Sequence, residues 1–311
     1  MQDTVREGLV VRATGSWYSV EHGGEVVECR ARGRIRLKGV RSTNPIVVGD
    51  RVEFTLADGA GVIHRILPRR NYIIRRSINL SKETHIIAAN LDAAYVVVTL
   101  TEPATPLEFV DRFLATATAY SIPGVVVLNK QDLPGEREAS EAMGMRYIYR
   151  EAGYEVLAVS ATTGQGIEEL RDRLAGRRSL IAGNSGVGKS SLVNALEPGL
   201  DLKTSPLSEN YQLGRHTTTF SEMFRLSFGE GTYVIDTPGI KGFGVVEFGR
   251  EEISHFFPDI FALKGACRFG NCLHDQEPGC AVRAAVEAGE LAPSRYVSYL
   301  SLLADDQDRY R

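Results

Sequence analysis

The segment Gly183-Asn184-Ser185-Gly186-Val187-Gly188-Lys189-Ser190 constrains this chain more than any other feature. Its spacing is G-x-x-x-x-G-K-[ST]. The apolar run of residues 179–182 leads into it, and Ser190-Ser191-Leu192-Val193-Asn194-Ala195-Leu196 continues as a helix. A strand, a glycine-rich turn and a helix in that order make a phosphate-binding loop. The glycines let successive backbone N–H groups converge on phosphate oxygens. The helix N-terminus adds partial positive charge at the same place. Lys189 is expected to reach the β- and γ-phosphates, and Ser190, with Ser191 beside it, to offer a hydroxyl to Mg²⁺.

Around this loop the chain alternates strand and helix from about residue 80 to 247. Residues 92–100, 124–130, 154–161, 179–183 and 232–239 read as apolar strands. Leu107, Val110, Leu114 and Ala117 recur at helical spacing, and further helices are predicted near 136–145 and 167–175. Such a series implies a mainly parallel sheet covered by helices. Residues 1–75 differ: five short Val- and Ile-rich segments (8–14, 17–21, 25–36, 50–56 and 60–67) are separated by Gly, Asp, Asn and Pro. Five strands in this length suit a small β-barrel of the OB type, with an SH3-like barrel left open by spacing alone. From residue 248 onward the chain is helical apart from a cysteine cluster. Tyr296, Tyr299, Leu300 and Leu303 share one face of a late helix, and Pro293 fits its first turn. With 311 residues, the chain exceeds one typical core.

Two further motifs bear on the base. Asn129-Lys130-Gln131-Asp132 ends the strand of residues 124–130 and matches N-K-x-D. A carboxylate at Asp132 accepts hydrogen bonds from guanine N1–H and the N2 amino group. Adenine has no such donor pair and would leave the charge unpaired. Ser160-Ala161 ends another strand and matches the motif whose backbone N–H meets guanine O6. Each is short; together with the phosphate loop they select guanine nucleotides, GTP and GDP. Asp236-Thr237-Pro238-Gly239 follows the strand at 232–235 and matches D-x-x-G, with Asp236 expected at Mg²⁺ and Gly239 at the γ-phosphate. Gly214-Arg215-His216-Thr217-Thr218-Thr219 lies upstream in a polar stretch. One of its threonines, Thr218 being favoured, is expected to cap Mg²⁺ and the γ-phosphate. Ile240 stands where many G proteins place a water-orienting glutamine. Intrinsic hydrolysis is therefore expected to be slow, with His216 the nearest candidate to position the attacking water. His216, Thr218 and Lys189 are the candidate catalytic residues.

The order of these motifs is itself informative. Base recognition at 129–132 and 160–161 precedes the phosphate loop at 183–190, which precedes 214–219 and 236–239. In ordinary G proteins the phosphate loop comes first, so the order is circularly permuted. Chain ends in α/β domains often lie close together, which leaves the sheet intact. With the barrel, the permuted motifs, the GRHTTT segment and the C-terminal cysteines and histidine, the whole chain resembles the RsgA (YjeQ) family of circularly permuted GTPases that depend on the small ribosomal subunit. The resemblance implies an OB fold at the N-terminus. It also implies GTP hydrolysis raised by that subunit and action late in its maturation. In that reading Lys130 lies along the base and Asn129 braces the site. The chain runs from the D-x-x-G segment directly into the C-terminal region, so γ-phosphate contact is expected to reposition that region.

Cys267, Cys272, His274 and Cys280 offer three thiols and one imidazole at close spacing, a standard tetrahedral set for one structural zinc ion. Cys29 stands apart as an apolar filler. Net charge is −3 but unevenly spread: residues 1–76 carry 14 Lys and Arg against 8 Asp and Glu. A basic module joined to an acidic one is expected to meet a polyanion. Arg30, Arg32, Arg34, Arg36 and Lys38 alternate, which on a strand puts them on one face. Arg41, Arg69, Arg70, Arg75 and Arg76 extend the basic surface toward ribosomal RNA, with Trp17, Tyr18 and Tyr72 as candidate base-stacking partners, though core packing is favoured for Trp17. No apolar run approaches the roughly 20 residues of a membrane span, and the N-terminus lacks a signal-peptide core. A cytoplasmic monomer without membrane contact is expected. The fold class is thus read as multi-domain α/β: an N-terminal OB-type β-barrel (1–75), a central circularly permuted P-loop GTPase domain (76–247) and a C-terminal helical zinc-binding domain (248–311). A small-molecule kinase and an RNA-binding module with a structural nucleotide are the competing classes. Nucleotide specificity tests the first and turnover with the partner tests the second.

Overall fold

The computed structural model describes residues 4–32, 45–57, 59–76, 84–133, 135–202, 222–236 and 248–305. The first five strands are β1 (Arg6–Thr14), β2 (Trp17–His22), β3 (Glu25–Ala31), β4 (Arg51–Ala57) and β5 (Ala60–Ile66). Gly23 and Gly24, both at positive φ, make the two-residue turn between β2 and β3. The strands are ordered β1-β2-β3-β5-β4, and β1 pairs again with β4 to close the barrel. The β3–β5 pair is parallel. This connectivity is a Greek-key barrel of the OB type, which resolves the alternative that spacing left open. Alternate residues turn inward, so Val10, Val20, Cys29, Val52, Phe54 and Ile63 form its core.

Next comes a ribbon that periodicity did not predict, β6 (Tyr72–Arg76) paired antiparallel with β7 (Thr84–Ala89). Ile73, Ile74, Ile86 and Ala88 place it on the core of the following sheet. The expected end of the first unit, residue 75, falls inside β6.

The central sheet contains β8 (Ala93–Val98), β9 (Gly124–Leu128), β10 (Glu155–Ala158), β11 (Arg178–Ala182), β12 (Glu222–Arg225) and β13 (Tyr233–Asp236). Its order is β10-β9-β8-β11-β13-β12. All pairs are parallel except β12 with β13. The helices are α1 (Leu107–Ala119), α2 (Glu136–Glu151), α3 (Ile167–Leu174) and α4 (Lys189–Leu196). Every residue of β8 is buried, as a parallel strand covered on both faces must be. Its even-numbered side chains, Ala94, Val96 and Val98, pack under α1 and α2; Tyr95 and Val97 pack under α3 and α4. α2 runs a turn and a half beyond the predicted 136–145 because Tyr149 and Ala152 are buried as well.

Two joints fix the barrel to this sheet. β1 pairs antiparallel with β12 at Arg12 and Glu222, making one eleven-stranded sheet. Beside that seam Tyr233 Oη donates to both carboxylate oxygens of Glu21 at 3.0 Å, and Arg225 Nη1 donates to one of them at 3.0 Å. On the other side, the buried Asp50 carboxylate receives Arg69 Nε and Nη2, each at 2.7 Å. Asn90 Nδ2 donates to Gly49 O at 2.9 Å.

The C-terminal region has a 3₁₀ turn (Arg250–Phe256), α5 (Pro258–Lys264), α6 (Ala281–Glu287) and α7 (Pro293–Ala304). Ile253, Phe257, Ile260, Val282, Tyr299 and Leu302 form its core. It docks on α1 through a buried ion cluster that sequence did not reveal. Arg295, 1% exposed, donates to Asp111 at 2.7 Å and to both oxygens of Asp259 at 2.9 Å. Tyr149 Oη also donates to Asp111, at 2.9 Å.

Candidate nucleotide and metal sites

The carboxyl ends of parallel strands form one rim, where ligands bind in open α/β sheets. The N-K-x-D turn follows β9, Ser160-Ala161 follows β10, the glycine loop follows β11 and Asp236 ends β13. Motifs spread over more than 100 residues thereby share one edge. His216, Thr217, Thr218, Thr219, Gly239 and Ile240 lie outside the described residues.

The phosphate loop is shaped by its glycines. Gly183, Gly186 and Gly188 have φ of 155°, 85° and 90°. At Gly188 a Cβ would also lie 2.5 Å from Asn129 Nδ2, so only glycine fits. That close approach has a purpose, because Asn129 Nδ2 donates to Val187 O at 2.9 Å and ties the base turn to the phosphate loop. Asn129 N in turn donates to Val98 O at 2.8 Å. Asn184, Ser185 and Gly186 stand at the loop's outer face, while Val187 is buried beneath it. Lys189 curls over the loop, its Nζ donating to Gly183 O at 2.9 Å and Asn184 O at 3.0 Å. Burial lowers the Lys189 pKa, and the nearby Asp236 carboxylate opposes that shift. A phosphate chain laid along the loop would meet converging N–H groups and this cation. Ser190 and Ser191, half-buried, open α4 beneath it.

The base side is equally ordered. Ser160 Oγ donates to Asp132 Oδ1 at 2.5 Å, and accepts from Thr163 N at 3.1 Å. The exposed Asp132 carboxylate is thus held by a buried serine and can present its remaining lone pairs to a base. Gln131 N donates to Val159 O at 3.2 Å, which joins the two base turns. Ala161 follows, half-buried. Lys130 sits at φ 60°, and its Nζ donates to Glu102 O. Residues 99–105, after β8, therefore border the site too, although no motif marks them.

The second site is compact. The ligand atoms of Cys267, Cys272, His274 and Cys280 all lie within 4.8 Å of one another. Both Cys267 Sγ and Cys280 Sγ lie 3.5 Å from His274 Nδ1. A tetrahedron with metal–sulfur bonds of about 2.3 Å and a metal–nitrogen bond of about 2.0 Å has sulfur–nitrogen edges of about 3.5 Å. The four residues fit one metal ion. His274 is fully buried at φ 58°, and burial lowers its pKa, favouring the neutral imidazole that ligates metals. Tyr296 Oη donates to His274 O and Tyr299 Oη to Leu273 O, both at 2.6 Å, so α7 braces the loop.

On the barrel, Arg30 lies in β3 with its guanidinium 3.9 Å from the Trp17 ring centroid. Trp17 is half-buried on the barrel wall and absent from the core, contrary to the expectation that it packs inside; Arg30 stacks on its ring instead. Tyr18 is the buried one, with its hydroxyl on Gly15 O. Tyr72 packs against Tyr120. β3 ends at Ala31, so Arg32 lies just beyond the strand. Arg34, Arg36, Lys38 and Arg41 lie outside the described residues. Arg69 is buried against Asp50 and is not part of a surface stripe, whereas Arg70, paired with Asp92, stays largely exposed.

The sequence profile of the RsgA GTPase family matches residues 66–246, and that of the RsgA N-terminal domain matches residues 7–63. A small ribosomal subunit biogenesis GTPase RsgA from Christiangramia forsetii is 50% identical over 310 residues, covering 98% of both chains. One from Bacteroides fragilis is 52% identical over 308 residues, covering 98% of this chain and 99% of its own. Among solved structures, YjeQ from Thermotoga maritima superposes with a TM-score of 0.77 at 37% identity, covering 97% of this chain and 98% of that one. YloQ, a circularly permuted GTPase, gives 0.71 at 29% identity, covering 98% and 96%. Permuted motif order, barrel connectivity, profile and overall superposition agree, and the chain belongs to the RsgA GTPase family.

Proposed function

We propose that this protein hydrolyses GTP in the maturation of the small ribosomal subunit, with turnover raised when it docks on that subunit. The observation that carries the reading is the Asn129–Val187 bond, which locks a guanine-type base turn to a phosphate loop across the rim of one sheet. Asp132, oriented by Ser160, reads the guanine edge. Lys130 covers the base, and Ala161 N–H meets O6. Gly183 to Gly188 and Lys189 cradle the phosphates. Ser190 and Asp236, with Thr218 from the upstream segment, would hold Mg²⁺, which neutralises charge on the β- and γ-oxygens. Gly239 senses the γ-phosphate and His216 positions the attacking water, taking the place Ile240 cannot fill.

Three units divide the work: the barrel of β1–β5, the GTPase region from the β6–β7 ribbon to residue 247, and residues 248–311; the separate cores of the barrel and the C-terminal helices support the division. The metal of the Cys₃His cluster is a single structural zinc ion, since all four positions are protein ligands. The barrel binds ribosomal RNA through Arg30, Arg32 and the Trp17 face. A cytoplasmic monomer is the working state, and no helix among the described residues is long and apolar enough to cross a membrane.

The deciding experiment is GTP turnover with and without purified small subunits, at low and raised salt. Strong stimulation that fades with salt supports a partner-completed site docked through basic surfaces. Clean GTP binding without stimulation removes the ribosomal assignment. Absence of GTP binding removes the nucleotide reading itself.

A further inference from the structure

β8 lies between β9, which carries the N-K-x-D turn, and β11, which carries the phosphate loop. Its C-terminal loop must therefore emerge between base and phosphate binding. That loop is tightly closed. Thr99 N donates to Thr105 Oγ1 at 3.1 Å, Thr105 N donates to Thr99 O at 2.9 Å, and Thr99 Oγ1 donates to Pro103 O at 2.6 Å. Thr99 and Thr105 are both buried, so these bonds are shielded from water. Within this closed loop, Glu102 O receives Lys130 Nζ. No short motif marks this loop, and its role is visible only in three dimensions.

We propose that Thr99 and Thr105 are positioning residues for guanine-nucleotide binding: by closing the 99–105 loop they aim Glu102 O at Lys130 and hold that side chain stretched across the place of the base. A lysine left to itself samples many rotamers, and ordering it on binding weakens affinity. Anchored at Nζ, its aliphatic stem is ordered before the nucleotide arrives. The polypeptide oxygen, rather than the Glu102 carboxylate, supplies the anchor, so the identity of residue 102 matters less than the closure of the loop around it. The inference rests on the guanine-site reading above.

The test is a double-mutant cycle on GDP affinity in the full-length protein. Thr105→Val keeps the shape but removes the acceptor for Thr99 N. It is expected to weaken GDP binding roughly 3- to 10-fold, the cost of one newly mobile long side chain, while Thr105→Ser restores wild-type affinity. In a Lys130→Ala background the same Thr105→Val change is expected to have less than about a twofold effect, because its target is gone. Unaltered affinity in Thr105→Val, or an equal loss in both backgrounds, overturns the proposal. Thr99→Val, which removes the bond to Pro103 O, runs the same cycle should Thr105→Val fail to fold. Failure of the wild-type protein to bind GDP would instead strike the guanine-site reading, so the two outcomes are distinguishable.

Discussion

At the scale of single residues, the site is a set of atoms held by neighbours rather than by their own preferences. Asp132 keeps its direction through Ser160 Oγ at 2.5 Å. Asp132→Asn is expected to weaken GTP binding by about 100-fold or more, from the loss of two charge-assisted bonds. It should favour xanthine nucleotides, whose O2 accepts from the new amide; competition binding with GTP and XTP reads both effects. Gly188 sits at φ 90° against Asn129. Gly188→Ala is expected to cost about 1–3 kcal/mol in backbone strain and to loosen nucleotide binding, measured as faster release of a fluorescent GDP analogue. The phosphate loop, N-K-x-D and the cluster of three cysteines with one histidine were legible in sequence because each is a contiguous or closely spaced string tied to one chemistry. Thr99, Glu102 and Thr105 were not, because Glu102 acts through a backbone oxygen that any residue possesses, and the threonines act by closing a loop. Trp17 was misplaced for a related reason: alternation assigns a face of a strand but does not reveal that Arg30 shields the indole on the outer one.

At the scale of elements, the apolar strands and the helices other than α2 were predicted close to their observed bounds, whereas β6, β7 and β12 escaped. β6 and β7 are short strands of five and six residues, and β12 has four. Such elements are stabilised by pairing and by the core they cover more than by local pattern. The same holds for the α1–α7 contact. Arg295 is nearly inaccessible and pairs with Asp111, which is wholly so. Arg295→Met is expected to destabilise the chain by about 3–5 kcal/mol, because a buried carboxylate loses its cation; urea unfolding measures it. Burial penalises the charged Asp111 and shifts its pKa upward, but the guanidinium, Ser298 and the Tyr149 hydroxyl oppose that shift. The Cys₃His loop is the other organising element of this region. Treatment with a strong chelator to remove the proposed metal, or replacing Cys272 by serine, is expected to abolish hydrogen-exchange protection in α6 and α7, since binding at such a site couples to local folding. Elemental analysis is expected to give one zinc per chain.

At the scale of the whole molecule, a basic barrel joined to a more acidic remainder is the charge distribution behind the proposed contact with RNA. Reversing Arg30 and Arg32 to glutamate is expected to weaken association with the small subunit. It should also lower the slope of log affinity against log salt by about 1 for each phosphate no longer neutralised; a salt titration of binding reads it. The order of domains along the chain was legible, but their joints were not, because Arg69–Asp50 and Glu21–Tyr233 pair residues 19 and 212 positions apart. The β1–β12 seam carries a consequence for solubility. A four-residue antiparallel strand at the rim of a parallel sheet would ordinarily expose unpaired N–H and C=O groups, the template on which chains stack and aggregate. In this protein the barrel's first strand pairs with that rim at Arg12 and Glu222. The barrel thereby occupies part of an edge on which other chains could stack, and a fragment beginning after it is expected to self-associate more readily than the full chain, read by light scattering.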